Sequence, residues 1–265
     1  MTETPLHVAV EDGVAVLTLA APEQRNALST AIVRALLDAL ATPTVRAARA
    51  LVLAGDGPAF CAGADIRDLL GAGWMEPDPQ GPTPMDLFEA IDRESRPVIA
   101  AATGLVLGGG FELSLCCDLV VAAEDASFSL PELAHGVMPN TGLFLLGHVV
   151  GQRRALEIVL TRRRLTAAEA LSFGLVNAVA PPDGTRAAAV GLARKIVTGA
   201  PPSGIAAVKR GLRRGPDAVD WDQVRASLGW LDRAEWTEGL GAFTERRRPN
   251  YEDFWRKHAA RSEKA

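Results

Sequence analysis

"GLVLGGGFELSLCCD", Gly104 to Asp118, sets three consecutive glycines just before a carboxylate, Glu112, in a segment that is otherwise apolar. It follows "PVIAAATG", which reads as a buried strand, and it opens "FELSLCC", which reads as a helix start. The stretch is therefore a strand, a tight turn and a helix N-terminus. The first turn of a helix leaves backbone N–H groups without internal partners, and glycine lets another group approach them closely. Such an amide can receive negative charge on an oxygen. Close helix packing also asks for glycine, so the run alone does not decide between the two. Gly108, Gly109 and Gly110 lack the spacing of the dinucleotide fingerprint, and no Lys-Ser or Lys-Thr follows to make a Walker loop.

A second loop of the same kind is "GDGPAFCAGADI", Gly55 to Ile66, which follows the strand "ALVLAG". One amide from each loop would make an oxyanion hole, suited to a carbonyl that becomes an enolate; a donor of this kind is worth roughly 3 kcal/mol in a well-studied hydrolase. Glu112 at a helix start could simply answer the helix dipole. Its neighbours Phe111, Leu113 and Leu115 point instead to burial, which raises a carboxyl pKa toward the range that proton transfer needs. Glu132 in "FSLPEL", held by the preceding proline, is a second such acid, with an exposed turn residue as the plain alternative. Two carboxyls in one pocket would hold a water between them, one taking its proton while the other gives a proton to carbon.

Outward from these loops, "LHVAV" and "VAVLTLA" around "EDG" read as a hairpin, "STAIVRALLDAL" as a capped helix, "PMDLFEAIDRES" as another helix, and "LVVAAED" and "ASFSL" as short strands. Strands alternating with helices predict an α/β core. "GAGWMEPDPQGPTP", Gly71 to Pro84, reads as a loop. From Thr166 onward the pattern is helical, and the last seventy or so residues read as helices only, with a boundary near Gly199. Four of the five tryptophans, Trp221, Trp230, Trp236 and Trp255, lie in that tail, as core anchors or as an interface between subunits.

The chain has 265 residues, 48% hydrophobic and 23% charged, with 28 basic and 32 acidic side chains for a net charge of −4. That balance offers no electrostatic surface for nucleic acid. Cys61, Cys116 and Cys117 have neither zinc nor disulfide spacing, which fits a reducing, cytoplasmic setting. The N-terminus has no signal-peptide pattern, and no apolar run approaches the roughly 18 residues of a membrane span. The histidines His7, His135, His148 and His258 form no metal motif, and no GxSxG elbow occurs. His135 and His148 read as ordinary polar residues, and the basic runs "TRRRL" and "TERRR" as solvated faces, either of which could meet a phosphate.

Taken together, "PAFCAGADI", "RPVIAAATGLVLGGGFELSLCCDLVVAAEDASFSLPEL", "LTRRRLTAAEALSFGLVNAV" and "FTERRRPNY" resemble the enoyl-CoA hydratase/isomerase superfamily, the crotonases. The resemblance runs over nearly the whole chain. It implies an α/β spiral of repeated ββα units with a C-terminal helical region: a core over residues 1–198 and a helical oligomerisation region over 199–265. It implies that the N–H groups of Ala64 and Gly109 form the oxyanion hole for a thioester oxygen and that Glu112 and Glu132 are the two catalytic glutamates. The loop around Cys61, Ala62, Ala64, Asp65 and Ile66 matches the one that receives the CoA adenine. The implied activity is enoyl-CoA hydration, with double-bond isomerisation, thioester hydrolysis or a non-catalytic CoA-binding scaffold as alternatives. CoA enters as part of the substrate, no other cofactor is expected, and the implied assembly is a homotrimer or a dimer of trimers with no nucleic-acid or membrane partner. One stretch departs from the family pattern: after "GVMP", where small residues and glycines are usual, stand Asn140, Thr141, Gly142, Leu143 and Phe144. These residues, with Trp74 and Met75 from the Gly71–Pro84 loop, are expected to shape the acyl pocket.

Overall fold

The computed structural model describes residues 4–71, 74, 81–213, 220–230, 233–251 and 254. In chain order the elements are β1 (Leu6–Glu11), β2 (Val14–Leu19), α1 (Thr30–Ala41), α2 (Pro43–Arg46), β3 (Ala50–Gly55), β4 (Ala59–Cys61), α3 (Ile66–Gly71) and α4 (Pro84–Arg93). Then come β5 (Val98–Ala102), β6 (Leu105–Leu107), α5 (Gly109–Cys116), β7 (Leu119–Ala123), β8 (Ser127–Ser129), α6 (Asn140–Val150), α7 (Gln152–Thr161), β9 (Leu165–Thr166), α8 (Ala167–Ser172) and β10 (Ala178–Ala180). The chain closes with α9 (Thr185–Gly199), α10 (Pro202–Arg213), α11 (Trp221–Ala226) and α12 (Arg233–Thr244).

The β1–β2 hairpin is the one expected. Asp12 and Gly13 both have positive φ, 50° and 79°, the turn that matches the right-handed twist of two-residue hairpins. Ser29 caps α1 by accepting the Ile32 N–H. The larger sheet has the order β1-β2-β3-β5-β7-β10 and is parallel from β2 onward. Its strands alternate between two cores. Leu17, Leu51 and Val98 face one, while Val16, Val52 and Ile99 face the other, beneath Ala189, Val190 and Ala193 of α9. Burial on both faces explains why "ALVLAG" and "PVIAAATG" are continuous apolar runs with no polar side.

A second sheet, in the order β4-β6-β8-β9, stacks three-residue strands beside the first. Each long strand of the central sheet leads into one of them: β3 into β4, β5 into β6, β7 into β8. A helix follows β4 and β6, as α3 and α5, and a 3-10 turn, Glu132–His135, follows β8. This is a ββα unit repeated along the chain, two sheets closed by C-terminal helices. Because β4, β6 and β8 are parallel neighbours, the loops that leave their C-terminal ends lie side by side. That juxtaposition builds the site.

Two expectations change in detail. The glycine run does not follow "PVIAAATG" directly: the short strand β6 intervenes, and a short strand, β10, interrupts the C-terminal half that reads as helical. Trp221 is a core anchor, 5% exposed, whose indole N–H donates to Asp92 at 3.2 Å. Leu231 and Trp255, and the surroundings of the Trp230 side chain, lie outside what is described. Among the described residues no helix is long and apolar enough to cross a membrane, and no cluster of His, Cys, Asp or Glu could hold a metal.

Candidate active site

The three adjacent loops line one cavity of about 680 Å³. The first, after β4, is clamped to residues 25–28. Ala62 N–H donates to Arg25 carbonyl oxygen, Leu28 N–H to Gly63 and Asp65 N–H to Leu28, at 2.7–3.0 Å. The stretch 25–28 is itself fixed by Asn26, fully buried at φ 55°, whose amide accepts from Ala21 N–H and donates to the carbonyls of Asp56 and Ala59. Every amide from Ala62 to Asp65 is thereby engaged except that of Ala64, which has no partner among the described residues. Asn26 carries no chemistry of its own. Sequence reasoning missed it because its role is to hold a neighbour, which leaves no spacing to find.

The second loop answers the question of the glycine run, and each glycine has its own reason. Gly108 sits at φ 52°, in the left-handed half of the map, and a Cβ there would stand 3.1 Å from the Glu132 carboxyl. Gly109 begins α5, its N–H unpartnered among the described residues, and a Cβ on it would lie 3.4 Å from Ala64 N. A Cβ on Gly110 would overlap the Cys61 carbonyl, so this glycine serves close packing of α5 on β4. The two readings of the run, open amide and close packing, are both right at adjacent positions.

Glu112 is 6% exposed, one turn into α5. Its Oε1 accepts the Gly142 N–H at 2.8 Å, and the Thr141 N–H also bonds to the carboxylate. Burial pushes its pKa up to about 7, against the lowering effect of those two amides. Glu132 opens the 3-10 turn beyond β8, as Pro131 prepares it to do. Both its carboxyl oxygens are buried without a hydrogen-bond partner among the described residues. Burial, and then repulsion from Glu112, raise it well above the usual carboxylate range. The pair therefore divides naturally into an amide-supported carboxylate and a neutral carboxylic acid.

The C-terminal region reaches this site. Gly136, at φ 73°, and Gly239 of α12 allow the 3-10 turn and α12 to touch backbone to backbone, since a Cβ on Gly239 would overlap the His135 carbonyl. Phe243 of α12 packs edge-on to His135 with ring centroids 4.8 Å apart, and both line the cavity. Burial lowers the His135 pKa and keeps the ring neutral. Hydropathy gave no hint that His135 and Phe243, 108 positions apart, would meet; only the closing of α12 over the turn brings them together.

Ala62, Ala64, Asp65, Ile66, Trp74 and Asn140 line the cavity. Asp65 is paired with Arg67 through two hydrogen bonds of 2.8 and 3.1 Å. Cys61 does not line it. Its sulfur accepts the Gly63 N–H at 3.5 Å, and burial pushes the thiol up to about 12, so Cys61 braces the loop from behind. Thr141 is fully buried and contributes its N–H rather than its side chain. Leu143 and Phe144 are off the cavity: α6 begins at Asn140, so a turn later Leu143 is 40% exposed and Phe144 packs against the main core. Met75 lies outside the described residues.

Residues 9–256 match the model of the enoyl-CoA hydratase/isomerase family. A probable enoyl-CoA hydratase of Rhizobium meliloti is 34% identical over 257 residues, covering 95% of this chain and 99% of its own. The crystal structure of carnitinyl-CoA hydratase from Mycobacterium avium superposes with a TM-score of 0.78 at 34% identity, covering 95% of this chain and all of that one. A monofunctional enoyl-CoA isomerase from M. smegmatis superposes with a TM-score of 0.68 at 30% identity, covering 83% of this chain and 98% of that one.

Proposed function

The chain belongs to the enoyl-CoA hydratase/isomerase family, and from that premise we propose that it adds water across the C2=C3 bond of a 2-enoyl-CoA thioester. Its chemistry is of the crotonase acyl-CoA hydratase/isomerase type. The observation that carries the finer reading is the pair of buried carboxyls, one supported by two amides and one unpartnered, in the cavity that also holds the unpartnered N–H groups of Ala64 and Gly109.

In this reading the thioester oxygen accepts both N–H groups. Glu112, as the carboxylate, takes a proton from water while the water oxygen bonds to C3. The C2=C3 electron pair moves into the thioester as an enolate, which the two amides stabilise. Glu132, as the acid, gives its proton to C2. Glu112 ends protonated and Glu132 ionised, and proton exchange through solvent restores both. Ala62, Asp65 and Ile66, with Cys61 bracing them, receive the CoA adenine, and Trp74 and Asn140 meet the acyl group.

Crotonyl-CoA tests this directly. The expected outcome is loss of the enoyl thioester absorbance with a product heavier by one water. Gly109→Pro removes the amide N–H and should cripple any thioester reaction, with circular dichroism checking the fold. Similarity to the M. smegmatis isomerase favours a second reading, double-bond migration with one glutamate as base. It predicts a product of unchanged mass.

For assembly we propose a homotrimer, or a dimer of trimers, in the cytoplasm. Support comes from an exposed apolar set on α6, α7 and α8 comprising Val149, Leu156, Leu160 and Leu171, each 42% exposed or more. The tail adds Val208 and Leu212 of α10, 61% and 83% exposed, while it turns Trp221 inward and leaves Phe243 half exposed at the cavity. A stable monomer by light scattering at micromolar concentration would exclude the assembly.

A further inference from the structure

The cavity's inner wall carries two hydrogen-bonding groups that the proposed hydration does not use. Trp74 is 3% exposed and lines the cavity, yet its indole Nε1–H is buried with no acceptor among the described residues. An indole N–H can only donate, and a buried donor left without a partner is destabilising. Asn140, at the departure from the family pattern, lines the same cavity. Its amide orientation follows from its neighbour. Ser227 Oγ donates its hydrogen to Val224 carbonyl oxygen at 2.7 Å, so it can only accept from Asn140, whose Nδ2 stands 3.3 Å away. With Nδ2 donating to Ser227 and standing 4.0 Å from Met85 Sδ, the amide keeps Oδ1 as a remaining acceptor.

The charge around these groups limits what they can receive. Glu112 and Glu132 share the cavity. Two arginines also line it, Arg67, which is engaged by Asp65, and Arg25, which is exposed, and burial lowers the His135 pKa. A carboxylate on the acyl chain would have to share the cavity with two acids, Glu112 and Glu132. A plain alkyl chain would leave the indole N–H unpaired. A hydroxyl both accepts from Trp74 and can donate to an amide oxygen.

We propose that the acyl group taken by this cavity carries an uncharged oxygen, a hydroxyl in the first place, beyond the C2=C3 bond, with the Trp74 indole N–H donating to it. This deepens the hydratase reading and rests on it for the identity of the thioester site.

Binding of saturated acyl-CoAs tests it without turnover. Butanoyl-, pentanoyl- and hexanoyl-CoA are compared by calorimetry with their ω-hydroxy and ω-carboxy counterparts. The expected result is that, at one or more lengths, the ω-hydroxy thioester binds roughly three- to tenfold tighter than the alkyl one. The ω-carboxy thioester should bind more weakly than the ω-hydroxy one, and Trp74→Phe should abolish the hydroxyl preference. Equal or tighter binding of the alkyl thioester at all three lengths overturns the proposal in the native protein alone, whether or not the variant folds. Tightest binding of the ω-carboxy thioester overturns it, and so does a hydroxyl preference that survives Trp74→Phe. Crotonyl-CoA hydration is read separately. Its absence with the hydroxyl preference present removes the hydratase reading alone, and its presence without the preference removes this inference alone.

Discussion

The N-terminal end of α5 holds Glu112, and two residues beyond its C-terminal end stands Asp118; both are shielded acids, and their surroundings are opposite. Asp118 accepts the Val98 N–H at 2.7 Å, the Lys209 ammonium at 2.5 Å and the Arg213 Nε at 3.2 Å. Arg213 also pairs with Asp92 and donates to the Cys116 carbonyl at the end of α5. Glu112 has two amides and forms no ion pair among the described residues. The Glu132 carboxyl, in the same cavity, has no hydrogen-bond partner among the described residues. One end of the helix is thus fully compensated and fastens α10 to the core. The other is left under-compensated, which costs stability and raises the pKa of both acids. Buried charge by itself says little; the count of its partners separates a clasp from a site.

The sharpest way to break this contrast is to change one acid at each end. Glu112→Gln or Glu132→Gln should lower turnover by about 10²–10⁴-fold, the usual worth of a positioned proton-transfer group, with little change in thioester binding. Parental rates in either variant would end the two-glutamate mechanism. Asp118→Ala should cost about 3–5 kcal/mol in urea unfolding, because it leaves Lys209 without its carboxylate and Arg213 with Asp92 alone. Turnover per folded molecule should then change far less than in the glutamate variants.

A smaller effect runs the other way. The Glu112 pKa rises from an ordinary 4.5 to about 7 on folding. Between those values the folded chain keeps a proton that the unfolded chain gives up, so its contribution to stability is full below about pH 4.5 and lost by about pH 7. Glutamine does not titrate. Glu112→Gln should therefore gain stability relative to the parent as pH rises through that window, by up to about 3 kcal/mol at pH 8 and nothing near pH 4. An unchanged difference across that range would show that burial does not set this pKa. The smallest effect is on the native rate. kcat/KM should fall about tenfold per pH unit on the acid side of pH 7, as Glu112 takes up its proton, and fall again where Glu132 loses its own. A flat profile from pH 5 to 7 would remove Glu112 as the base.

Much of the frame was legible in the sequence because its signals are local. The hairpin at Asp12-Gly13, the Ser29 cap and the apolar runs of β3 and β5 each state their conformation within a few residues. The motifs around Gly109 and Ala64 likewise carried the family and singled out two glutamates that share one cavity. β4 and β6 stayed hidden, since three residues are too few for a period to show. Residues whose function is to meet something distant were hidden too. Asn26 reaches Asp56 and Ala59, His135 meets Phe243, and Asn140 meets Ser227. Leu143 and Phe144 stand close to Asn140 in sequence, but they lie one turn further along α6, and the rise of about 5 Å per turn carries them past the cavity. The sequence by itself determined which loops bear open amides and which acids stand beside them, because turn geometry and helix starts are written in neighbouring residues. Only the tertiary structure decided which acid is supported and which is not, because partner number and burial depend on segments far apart in the chain.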